Sequence, residues 1–129
     1  MRIEAVVSDE WLETISLEGE LDAYTAPQLQ EAVAAALNEG LAWLVVDLTR
    51  VEYIDSVGLG ILIGGVKRAG ERGGDLAVVS NRRNICKVFD VSGTAEMLNV
   101  VGDVAQAVAI LTEERAARAN SAAEGGEDQ

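Results

Sequence analysis

The chain has 129 residues, with 22 acidic and 10 basic side chains, a net charge of −12, and 49% hydrophobic but only 4% aromatic residues. Such a length and composition fit one domain with an aliphatic, alanine-rich core that needs no staples. The acidity argues against nucleic acid and against an anionic membrane surface, both of which require a basic footprint. Histidine is absent and Cys86 is the single cysteine, which excludes an internal disulfide and a Cys-x-x-Cys site.

Residues 1–22 read as two strands around a turn at Ser8-Asp9-Glu10, with Ile15, Leu17, Gly19 and Leu21 alternating with polar neighbours. A helix is predicted from Thr25 to Asn38. Thr25 and Gln28 have capping-box spacing, Pro27 falls in the first turn, and Leu29, Ala32, Val33, Ala36 and Leu37 form an apolar stripe. Gly40 is the stop signal. Ala42 to Leu48 is a nearly continuous apolar run, as in a parallel strand buried on both faces. The segment Thr49 to Asp55 reads as a loop, followed by a helix from Ser56 to Arg72 with Leu62, Ile63, Val66 and Ala69 inward.

A further strand is expected at Asp75–Ser80, a helix at Asn81–Val91 with Ile85, Val88 and Phe89 inward, and a short last strand at Glu96–Val101. Asp103 and Gln106 have the spacing of a cap, and Val104, Ala107, Val108 and Leu111 the stripe of a closing helix. Beyond Arg118 the chain is small and acidic, so a domain over 1–118 and a disordered tail over 119–129 are expected. The N-terminus lacks the pattern of a signal peptide, and the longest apolar run, Val57 to Val66, is about half of a bilayer span, so a cytoplasmic location is expected.

The order β-β-α-β-α-β-α-β-α implies an α/β fold: a mixed, mainly parallel sheet of about five strands with about four helices, the first strand antiparallel at an edge. Functional loops of such sheets lie at the carboxyl ends of the strands. The loop after the second strand, with Asp22, and the loop after the third, with Ser56, therefore share one rim.

The stretch Tyr53-Ile54-Asp55-Ser56-Val57-Gly58-Leu59-Gly60 holds a serine with no histidine to activate it. A Ser-His-Asp triad is excluded, and a nucleophile elbow would need glycine in place of Ile54. Gly58, Gly60 and Gly64 are spaced one residue too long for a dinucleotide fingerprint, and no Walker lysine is present. Carboxylates at Asp22, Asp47 and Asp55 could approach one another, but nothing demands an ion. Asp47 at the end of the buried run invites a receiver-domain reading, which lacks its acidic pair and its lysine here. These readings leave no catalytic residue, no cofactor and no metal ligand. Ser56 is then either a plain helix N-cap or a substrate for phosphorylation, with Gly58 and Gly60 keeping side chains out of an approaching partner's way. Leu59 is either an exposed apolar contact or core.

"EGELDAYTAPQL", "VVDLTRVEYIDSVGLGIL" and "VFDVSG" resemble the anti-sigma factor antagonists, single-domain STAS proteins of bacteria, from about residue 3 to residue 112. The resemblance implies partner switching. The unphosphorylated antagonist binds an anti-sigma factor that is itself a serine kinase of the histidine-kinase-like ATPase type, which frees the sigma factor. Phosphorylation at the position of Ser56 ends binding, and a metal-dependent serine phosphatase resets it. It also implies that Asp22, Tyr24, Thr25, Asp55, Val57, Gly58 and Leu59 lie in the region that meets the kinase. Val57 stands where the family usually has a second Ser or Thr, leaving Ser56 as the lone hydroxyl of that loop. STAS domains also serve in stressosomes, anion transporters and lipid-handling complexes, so a scaffold or regulatory subunit is the alternative reading.

Overall fold

In the computed structural model, which describes residues 1–127, the long apolar run at the middle of the chain organises the sheet. Strand β1 (Arg2–Ser8) pairs antiparallel with β2 (Leu12–Leu21) through a turn in which Asp9 and Glu10 take positive φ of 55° and 66°. Helix α1 (Ala26–Asn38) crosses over to β3 (Trp43–Ile54), which lies parallel to β2. Helix α2 (Ser56–Glu71) returns the chain to β4 (Asp75–Val79), parallel to β3. Helices α3 (Arg83–Ser92) and α4 (Val104–Glu127) follow, and the sheet order is β1-β2-β3-β4.

Two layers cover the sheet, as alternation along β3 and β4 requires. Leu44, Val46, Leu76 and Val78 face the larger core with Leu29, Val33, Leu62, Ile85 and Phe89 of the first three helices. Trp43, Val45, Ala77 and Val79 face the smaller one with Ala107 and Leu111 of α4. The Trp11 and Trp43 rings meet edge-on at 6.2 Å, with the Arg115 guanidinium 4.4 Å above the first and that of Arg118 5.3 Å above the second. Arg118 also donates to the Gly74 carbonyl at 2.9 Å, which ties α4 to the start of β4.

The expected mixed, mainly parallel α/β sheet with an antiparallel edge strand is present, with these local differences. The segment Thr49–Ile54, expected as a loop, continues β3. It pairs with β2 across two register shifts, between Ser16 and Glu18 and between Gly19 and Glu20. The extra residues of a bulge break the period-two pattern by which a strand is read. The expected last strand is reduced to one bridge, Val79 to Val101, so four strands form instead of five. Asn99 causes this: it sits at φ 50° and its amide donates to Asp75 and to the Leu76 carbonyl. A residue in the left-handed region cannot continue a ladder. The capping box at Thr25 and Gln28 does not form, since the Thr25 hydroxyl donates to the Glu20 carbonyl at 2.6 Å and accepts from Asp22 N. Ile63, Val66 and Val88 are half-buried, and Gly58 and Gly65 complete the inward face of α2. The Asp103–Gln106 cap forms at 2.8 Å. Helix α4 spans Val104–Glu127, past the boundary expected at Arg118. Residues 128 and 129 lie outside the described residues.

Gly58 is where α2 touches β2. A Cβ there would stand 2.7 Å from the Leu21 carbonyl oxygen and 2.8 Å from Leu21 Cγ, whereas one at Gly64 would meet nothing within 4 Å. Gly58→Ala should therefore lose about 1–3 kcal/mol of stability to overpacking, while Gly64→Ala gains roughly 0.5–1 kcal/mol from helix propensity. Denaturant titration of the two variants checks the opposite signs.

Glu13 is only 7% exposed. Burial, reinforced by the nearby Glu39 carboxylate, raises its pKa above the usual carboxylate value. A raised acid favours folding below its unfolded pKa, and that contribution is lost as pH climbs through the folded one. Glu13→Gln should therefore melt higher than the parent at pH 7, with the difference vanishing once both side chains are neutral in acid. Melting curves across this range are the measurement.

Candidate functional site

Strands β2 and β3 run parallel and end together, Leu21 against Ile54, so the loops that follow emerge side by side. This places Asp22 and Ser56 on one rim, as topology required. The two loops are joined through Asp55. Its N–H donates to the Leu21 carbonyl at 3.1 Å, and its Oδ2 accepts from Ala23 N at 3.2 Å. Its Oδ1 accepts from Val57 N at 3.0 Å and Gly58 N at 2.9 Å, which caps α2. One carboxylate therefore closes a helix end and staples a neighbouring loop.

The expectation that Ser56 is the N-cap is corrected by this geometry. Asp55, in extended conformation at φ −109° and ψ −177°, is the cap, and Ser56 is the first helical residue. Both residue types suit the cap position. Asp55 takes it because its second oxygen reaches the other loop. Ser56 is exposed, and its hydroxyl makes no hydrogen bond among the described residues.

Asp22 organises its own loop. Its Oδ1 accepts from Tyr24 N at 2.9 Å and Thr25 N at 3.1 Å, and its carbonyl accepts from Ala26 N at 2.8 Å. This is an Asx turn feeding α1. Tyr24 in this loop is 91% exposed, and Val57, in the first turn of α2, is 44% exposed. Leu59, left open between contact and core, is half-buried and packs against the larger core. Gly58 is buried and serves packing, while Gly60 is exposed with nothing within 4 Å of its absent Cβ. Only Gly60 of the pair thus leaves outward room.

Asp47 does not join this group. It lies inside β3, opposite Ser16 and Val79, with Oδ1 accepting from Thr49 N at 3.0 Å. It lines a groove of about 320 Å³ with Arg2, Glu18 and Arg50. The seven strand residues between it and Asp55 put the two roughly 20 Å apart. The receiver-like reading needed Asp47 at a strand end, and β3 continues past it to Ile54. Sequence reasoning missed two contributors. Tyr53 is half-exposed beside the loop, and Asn84 donates from α3 to the Glu52 carbonyl at 2.9 Å, bracing the end of β3. Tyr53 was visible inside the glycine-rich motif, but nothing local to Asn84 signalled a bond across 32 positions.

A family model described as "Mlab, STAS domain" matches residues 8–102. A curated protein of Staphylococcus epidermidis named anti-sigma-B factor antagonist is 32% identical over 100 residues, covering 78% of this chain and 92% of that protein. The crystal structure of an anti-sigma factor antagonist from Mycobacterium paratuberculosis superposes with a TM-score of 0.75 at 27% identity, covering 86% of this chain and 95% of that one. The Bacillus cell fate determinant SpoIIAA in its phosphorylated form shares the fold, with a TM-score of 0.65 at 20% identity over 80% of this chain and 92% of its own. The sheet, the stapled rim and these likenesses together make the chain a member of the STAS family, of the anti-sigma factor antagonist kind.

Proposed function

We propose that the domain over 1–118 is a cytoplasmic, non-enzymatic anti-sigma factor antagonist that works by partner switching. Unphosphorylated, its rim binds an anti-sigma factor that is a serine kinase of the histidine-kinase-like ATPase type. That kinase phosphorylates Ser56, which ends binding, and a metal-dependent serine phosphatase restores it. The observation that carries the reading is the division of labour at the head of α2: Asp55 does the capping, so the exposed Ser56 hydroxyl has no structural task. The similarity to proteins named anti-sigma factor antagonists supports the antagonist role. Asp22, Tyr24, Thr25, Asp55, Val57, Gly58 and Leu59 build or line the docking rim. Tyr24 and Val57 supply exposed apolar surface, while the others set its shape. No helix among the described residues is long and apolar enough to cross a membrane.

Phosphate at Ser56 acts locally. The N–H groups of Val57 and Gly58, which would otherwise cradle an anion at a helix start, are taken by Asp55. The phosphate therefore stays on the surface, beside Asp55 and close to the Asp22 loop. Close to two added negative charges must then be desolvated by any partner that closes on the rim.

Ser56→Ala should bind the cognate kinase and resist labelling by it with ATP, and the chain alone with ATP should neither hydrolyse nor label. Amide shifts on phosphorylation should change in the two rim loops and the first turn of α2 only. Labelling of Ser56→Ala at the parent's rate rejects the site, and large shifts in α4 reject the local mechanism.

Asp22 has a turn to hold and a charge to present, and two substitutions separate them. Asp22→Ala should lose about 0.5–2 kcal/mol of stability with its cap-like bonds. Asp22→Asn keeps an acceptor oxygen in place and should melt close to the parent. If the charge docks the partner, Asn still weakens kinase binding by more than about 1 kcal/mol. Parent-like affinity in Asp22→Asn assigns the residue to the turn alone. Calorimetric titration paired with thermal melts reads both.

A further inference from the structure

Charge along the chain is uneven, and net positive charge is densest at the start of α3. Between Asp75 and Asp90 there is no acidic residue, and Arg82, Arg83 and Lys87 crowd into that interval of an otherwise strongly acidic protein. All three are exposed, and none takes part in an ion pair among the described residues. Their placement is poor for the helix they belong to. Arg82 stands at the N-cap of α3 without a capping side-chain bond, Arg83 opens the helix, and no acid lies in the first turn. A cation there is opposed by the helix dipole, typically by 0.3–1 kcal/mol. Local rules broken without compensation inside the fold are expected where function requires them.

The position of this turn shows what it could serve. The Asn84 bond to the Glu52 carbonyl fixes it against the end of β3, next to the half-exposed Tyr53 and a few residues before Ser56. Its positive side chains therefore continue the rim. Resting on the partner-switching reading, we infer that the first turn of α3 is part of the docking face, and that Arg82, Arg83 and Lys87 receive an acidic patch on the anti-sigma factor kinase. The rest of the chain supports an acidic protein surface as occupant. A net charge of −12 repels nucleic acid and anionic lipid as whole objects, whereas a folded partner can present acid to this patch alone. The patch also orients the approach, since the chain as a whole is strongly acidic.

The test is titration of the unphosphorylated chain with the anti-sigma factor kinase of the same organism, at several salt concentrations. Arg82→Glu with Arg83→Glu should weaken binding by at least about tenfold and flatten its salt dependence. Because these cations oppose the helix dipole, the double variant should melt no lower than the parent. Arg2→Glu with Lys67→Glu makes the same change in net charge on other surfaces and should stay within about threefold of the parent. Equal losses in the two double variants would show an effect of net charge and overturn the patch, as would no loss in either. Should the glutamate variant fail to fold by circular dichroism, Arg82→Gln with Arg83→Gln is read by the same criteria. Binding of a short DNA duplex or of anionic vesicles by the parent, abolished in the double variant, would overturn the assignment to a protein. A parent chain that does not bind the kinase at all overturns the partner-switching reading, and this inference with it.

Discussion

The rim depends on one carboxylate. Asp55 accepts three backbone N–H groups, two at the head of α2 and one in the loop after β2, while its own N–H closes onto Leu21. Hydrogen bonds to an ionised acceptor are stronger than neutral ones, and together they fix three chain segments relative to one another. An ordinary N-cap serves only its own helix. This one also sets where the Asp22 loop stands, and that loop is stiff in turn because Asp22 and Thr25 bond each other's backbone and the Glu20 carbonyl. The Asp22 loop and the head of α2 are thus preorganised by backbone-bonded side chains, which would lower the ordering cost of any association at this rim.

The sheet explains why the rim stands proud. β4 pairs with β3 only over Trp43–Asp47, and β2 accompanies β3 to Ile54. The last residues of β3 thus have a free edge on one side, where Leu48 and Val51 are nonetheless fully buried. Exposed strand edges invite unwanted pairing and are normally covered. Helix α3 performs that covering, with Ile85 and Phe89 in the core and Asn84 bonded to the Glu52 carbonyl. The strand that carries Ser56 to the rim is therefore held from three sides, by β2, α2 and α3.

What could be read in the sequence were features whose signal is local and repeated. The stripes of α1, α2 and α4, the buried run of β3, the stop at Gly40 and the parallel order all follow from periodicity and cap chemistry. From them the pairing of Asp22 with Ser56 on one rim followed by topology alone. The misreadings share another cause, a choice settled by a distant partner. Asp55 and Ser56 are both good caps, and Ala23 decides between them. Thr25 had the spacing of a capping box, but the Glu20 carbonyl takes its hydroxyl. The last strand looked sound until Asn99 turned toward Asp75 and Leu76. The bulged end of β3 lost its alternation because its partner β2 carries fewer residues over the same span.

That division bears on how such a site can change without losing its fold. The capping oxygen belongs to Asp55 and the close packing to Gly58, so both positions are tied to stability. Ser56 and Val57 lie between them with exposed side chains, and Gly60 follows one turn on with open space outside it. A covalent charge can therefore be added and removed at Ser56 without disturbing a buried contact, because the bonds that hold the helix start are made by its neighbours. If Ser56 were itself the cap, its oxygen would be committed to the Gly58 or Leu59 N–H group, and modification would compete with the helix itself. Under the proposed reading, moving the cap back by one residue would separate the switch from the scaffold, and phosphate would act on the partner and not on the fold.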